Sequence, residues 1–136
     1  MTGLLRGLLA LAMTSAGIAF AQGTPPPAGP AVAPRIGNEV LKGIWTRPDG
    51  GYTIVIKNST TGGELDAMYY NPNPLPFSKA QALQDGATLR VFFELRAGGY
   101  NGSTYELIYD PSADRLKGTY YQAVAKQRFD VYFARR

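Results

Sequence analysis

Nine tyrosines and ten carboxylates carry almost all the chemistry open to this chain, because it contains no cysteine and no histidine. Without thiolates or imidazoles there are no disulfides, no cysteine nucleophile, no imidazole base and almost no route to a zinc, copper or haem site. Acid–base work would fall to paired carboxylates, as in glycoside hydrolysis, where two face each other across a cleft and burial raises the pKa of one. Glu64, Asp66, Glu94, Glu106 and Asp130 occupy strand positions directed to water, and Asp49, Asp85, Asp110 and Asp114 occupy turns. Asp110 and Asp114 flank Pro-Ser-Ala without the ligand ladder of a calcium loop. The expectation is a non-enzymatic protein with no catalytic residue, metal or cofactor.

Nine Tyr against six Phe and one Trp is a polar kind of aromatic content, since a buried phenol seeks a partner for its hydroxyl. Tyr52, Tyr69, Tyr105 and Tyr120 fall on inward strand positions and, with Trp45, form the candidate ligand-binding set. They would converge on a cavity for a ring, a sugar or a fatty chain. The competing reading is a barrel filled by its own side chains, which eight strands are just narrow enough to allow. Tyr70, Tyr121 and Tyr132, with Phe92, point outward and would suit a protein partner.

Strands must position these rings. Apolar residues alternate from Gly37 onward and turn signals interrupt them about every ten residues, the pattern of antiparallel strands. Eight strands follow: 43–47, 52–57, 64–70, a weaker 77–83 for which a short helix is the alternative, 88–96, 103–109, 115–122 and 127–134. Asn71 to Pro76 is expected to extend no ladder, because three of its residues lack an amide hydrogen. Glu64-Leu65-Asp66-Ala67-Met68-Tyr69-Tyr70-Asn71 aligns without a gap on Arg115-Leu116-Lys117-Gly118-Thr119-Tyr120-Tyr121-Gln122, which suggests two similar four-strand halves. A short amphipathic meander leaves two open edges unless it closes, so the expected fold is all-β, an eight-stranded antiparallel up-and-down barrel.

At Gly43-Ile44-Trp45 the chain resembles the calycin superfamily of lipocalins, fatty-acid-binding proteins and avidins, whose first barrel strand carries Gly-x-Trp. Gly51 opening an alternating strand and Gly63-x-Leu65-x-Ala67-x-Tyr69 are similar to the avidin layout. The resemblance implies that Trp45 plugs one barrel end and that an arginine of the last strand, Arg135 or Arg136, packs across it. Trp45 is the only Trp, so the tryptophan ring with which avidins hold biotin is missing and biotin binding is not carried over.

Ahead of the domain, one Arg, an apolar run from Gly7 to Phe20 and Ala19-Phe20-Ala21 follow the pattern of a cleavable export signal, with cleavage after Ala21. The run is too short to span a bilayer. Five prolines between Gly23 and Arg35 make an extended spacer. The expected division is a signal peptide over 1–21, a Pro-rich spacer over 22–36 and a barrel domain over 37–136, in a periplasmic or secreted protein without a membrane span once the signal is removed. The formal charge of +4 is spread thinly along the strands, where Lys and Arg read as solvated faces and exclude a nucleic-acid site. Two functions remain: a calycin-like binder of a small apolar or aromatic ligand, or an envelope protein-interaction module or protease-inhibitor-like barrel acting through its surface.

Overall fold

The computed structural model describes residues 36–136, together with Gly17 and Gly23; the signal and spacer lie outside the described residues. A short 3-10 helix, Asn38–Leu41, leads into nine strands. These are β1 (Gly43–Thr46), β2 (Thr53–Ser59), β3 (Leu65–Tyr70), β4 (Pro74–Pro76), β5 (Lys79–Asp85), β6 (Thr88–Leu95), β7 (Ser103–Asp110), β8 (Arg115–Gln122) and β9 (Gln127–Arg135).

All pairings are antiparallel and link sequence neighbours, apart from β1 with β9. The order across the sheet is β4-β3-β2-β1-β9-β8-β7-β6-β5, an up-and-down meander curled into a half-barrel whose break falls in mid-chain, between β4 and β5. One bridge spans that seam: Glu64 pairs with Gln81, and the Ala82 amide donates to the Gly63 carbonyl at 2.6 Å. Gly63 has φ +91°, and a Cβ there would run into the Ala82 carbonyl oxygen. Glycine therefore permits both the backbone turn and the approach of the two edges.

The ninth strand corrects the expectation of eight. Pro74–Pro76 does join a ladder, pairing with Met68 to Tyr70 of β3. It does so at the sheet's edge, where a missing amide hydrogen removes no bond to a further strand. The segment after Phe77 is a strand rather than a helix, and begins at Lys79. The 3-10 helix went unforeseen; it buries Leu41 against the core.

Alternation explains the interior. Leu89, Val91, Phe93 and Leu95 of β6, Tyr105, Leu107 and Tyr109 of β7, and Val131 and Phe133 of β9 are buried, and the residues between them, Arg90, Phe92, Glu94, Glu106, Ile108 and Tyr132, are more exposed. The two matching segments share their facing, with Leu65 and Tyr69 buried on β3 and Leu116 and Tyr120 buried on β8. Phe93 stacks on Phe77 at 4.6 Å and Tyr105 on Tyr120 at 4.5 Å between ring centres. Offset contacts of this kind add to the burial of the rings.

Candidate functional site

Strand β1 sends side chains to both ends of the curled sheet. Trp45 lies on its inner face, and Arg47, one residue beyond the end of the strand, keeps the same facing, as the two-residue period of an extended chain directs.

Trp45 closes one end. It is fully buried, its indole Nε1–H donates to the Leu41 carbonyl at 2.8 Å, and Tyr109 meets it edge-on. The Arg135 guanidinium covers it 4.2 Å from the ring centre. Arg135 is fixed in turn by the Val40 and Lys42 carbonyls, each at 2.6 Å, and by Asp114, to which Nε donates at 2.7 Å. The Tyr109 hydroxyl donates to the same carboxylate at 2.9 Å. Arg135 holds the Asp114 carboxyl below the usual range. Every polar group in this cluster has a partner, so the end is sealed without orphaned donors.

Arg47 belongs to the open end, and it corrects the reading of the basic residues as solvated strand faces. It is only 7% exposed. Its Nε and Nη2 donate to the Asp49 carboxylate, its Nη1 donates to the Tyr105 hydroxyl at 3.0 Å, and its guanidinium lies 4.5 Å from the Tyr52 ring centre and 5.6 Å from that of Tyr120. Burial works against its charge, but the hydrogen bonds to Asp49 and Tyr105 outweigh burial and hold its pKa above the ordinary value. Its hydrogen bond likewise keeps the Asp49 carboxyl low.

Over this guanidinium opens a cavity of about 530 Å³, within the ordinary size of a small-molecule site. Tyr52, Tyr100, Tyr120 and Phe129 provide its aromatic walls, and Asn71 and Gln122 its amides. Asn71 and Gln122 are the equivalent final positions of the two matching segments, so the internal echo places an amide on the rim twice. Asn71 also donates to the Tyr100 hydroxyl at 2.7 Å. Arg47 and Asp49 are the only charged residues in the lining.

The five residues singled out from the sequence thus separate. Tyr52 and Tyr120 reach the cavity; Tyr69 and Tyr105 lie beneath it, fully buried; Trp45 sits at the sealed end. The Tyr69 and Tyr105 hydroxyls are 3.3 Å apart. Burial pushes both phenols up, that of Tyr105 to about 12, with Tyr69 and Arg47 pulling it part of the way back. Sequence reasoning missed Arg47 and Tyr100. Period two counted from Trp45 turns Arg47 inward against what its charge suggests, whereas Tyr100 stands on the β6–β7 connection, where alternation says nothing.

Among the described residues no cluster of metal-ligating side chains occurs, and no helix is long and apolar enough to cross a membrane. Compared with protein-family models, with curated proteins and with solved structures, the chain matches none.

Proposed function

We propose that this domain is a calycin-like binding protein which takes a small ring-bearing ligand at its open end, without catalysis, in the periplasm or outside the cell. The aromatic-walled cavity above Arg47 carries this reading. Interior space does not: the sheet's concavity is filled by Tyr69, Tyr105, Phe93 and Phe133, so the ligand would rest on the packed core rather than enter it. The calycin comparison draws support from Gly43-x-Trp45 with Arg135 lying across the indole. Export rests on the pattern over residues 1–21.

Titration with an environment-sensitive aromatic dye tests the proposal. Saturable uptake that weakens in Phe129→Ala, a residue 43% exposed at the rim, is the expected result. No saturable uptake by the wild type would overturn it. The surface-interaction reading has one observation in its favour: Leu83 and Ile108 stand exposed on the outer face beside Phe92, around a groove of about 650 Å³.

A further inference from the structure

The open end contains an ion pair that is unequal in its two halves. Arg47 is fixed on every side: by its amide, which donates to the Tyr52 carbonyl at 2.9 Å, by Tyr105 at 3.0 Å, and by the Tyr52 and Tyr120 rings. Asp49 is not. Its side chain is 58% exposed on the turn before Gly50 and Gly51, and glycines leave such a turn free to change conformation. Gly50 also leaves room for the Tyr52 ring, against which any Cβ there would clash. A guanidinium has five N–H donors in a planar fork. Three are committed, two to Asp49 and one to Tyr105, which leaves two without a partner among the described residues.

A buried guanidinium needs a counter-charge, and the fork matches a carboxylate in two-point geometry. Asp49 already demonstrates that match, since its two oxygens take Nε and Nη2. Yet an exposed carboxylate on a turn is held only weakly in place. The lining holds no other charge, and its walls are aromatic.

We infer that the ligand of this site is a small aromatic or ring-bearing carboxylate, and that Asp49 is a displaceable stand-in occupying the guanidinium fork until the ligand's own acid group replaces it. The inference rests on the open end being a ligand site and adds the chemical class. The ring lies against Tyr52, Tyr120 or Phe129, the acid group meets Arg47, and Asp49 swings to water. Removing the Asp49 charge then strengthens acid binding, because the internal competitor is gone. For an uncharged ligand held by the pair jointly, the same change would weaken binding.

The test compares 2-naphthoate with its neutral analogue 2-naphthamide by calorimetric titration of the whole protein. The wild type should prefer the acid by about tenfold or more. Asp49→Asn should raise that ratio further, by about tenfold, with a larger thermal shift on adding naphthoate. Arg47→Gln should bring the ratio close to one; Arg47→Lys, which keeps the charge and loses the fork, should lie between. Equal affinities in the wild type, or a ratio that falls in Asp49→Asn, overturn the inference while leaving the open end a ligand site. Failure of both probes to bind the wild type overturns the ligand site and the inference together. The acid–amide comparison in the wild type uses no variant, so it decides even if the Arg47 and Asp49 variants do not fold.

Discussion

Trp45 and Arg135 face each other directly across the β1–β9 ladder, with the guanidinium 4.2 Å from the indole centre. One cross-strand pair thus joins the first strand to the last and seals the end of the sheet between them. Arg135 also reaches the 3-10 helix through Val40 and the β7–β8 turn through Asp114.

Replacement of Trp45 by Ala is expected to lower stability by about 3 to 5 kcal/mol, the usual cost of removing a large aromatic from a core. Chemical denaturation followed by circular dichroism measures it. An unchanged midpoint would show that the indole is no plug. Because Trp45 is the only tryptophan, its fluorescence reports this end alone, and Arg135→Ala should shift the emission to the red as water reaches the ring.

The two buried phenols should differ in their response to loss of the hydroxyl. Tyr105→Phe strands an Arg47 N–H in a buried site, at about 1 to 3 kcal/mol. Tyr69→Phe removes the long hydroxyl contact with Tyr105 at 3.3 Å and strands no charged donor, for about 0.5 to 1.5 kcal/mol. Thermal melts that rank Tyr69→Phe as the more damaging change would contradict this geometry.

Stability should stay level through neutral pH, since the chain has no histidine, and decline at both extremes. Asp49 and Asp114 have folded pKa values held low by Arg47 and Arg135. Their contribution is therefore complete above the unfolded value of about 4 and fades as pH falls below it. Tyr105 is shifted the opposite way, to about 12. Its contribution is whole below the unfolded value of about 10 and is lost as pH rises toward 12. Urea midpoints across pH give the profile, and ultraviolet titration should show Tyr69 and Tyr105 ionising only as the protein unfolds.

Gly63→Ala should loosen the seam, through a Cβ that meets the Ala82 carbonyl and a φ of +91° that Ala resists. A loss of about 1 to 3 kcal/mol is expected, the range for forcing extra atoms into a packed position. Hydrogen exchange should quicken first at the Ala82 amide, whose partner is the Gly63 carbonyl. Quickening confined to β7 and β8 instead would argue against the seam as the weak point.

Where each side chain followed the period-two rule and its own polarity, the sequence was readable. Leu89, Val91, Phe93 and Leu95 on β6 are the plainest case, and Tyr69 and Tyr120 occupy inner positions as their matching segments suggest. Arg47 was hidden because the two rules disagree there: the strand period turns it inward, while its charge argues for water. Only the nearness of Asp49 and Tyr52 on the β1–β2 connection, Tyr105 on β7 and Tyr120 on β8 resolves the conflict. Pro74–Pro76 was misjudged for a related reason, since edge position is a property of the sheet and cannot be read from the segment alone.

The pairing of β1 with β9 has a consequence for how the chain must be made. Trp45 and Arg135 are separated by 90 positions, so the ladder that joins the two runs of the sheet, β4 back to β1 and β9 back to β5, waits for β9, which is synthesised after the other eight strands. Until Gln127–Arg135 emerges, β1 and β8 each present an unpaired edge, and Trp45 lacks the guanidinium that covers it. Such edges invite pairing with other chains, and a contact of this span forms slowly. A chain from which only β1–β8 has emerged would therefore carry two open strand edges and be prone to stick to its neighbours, until the pairing of β9 joins the two runs of the sheet.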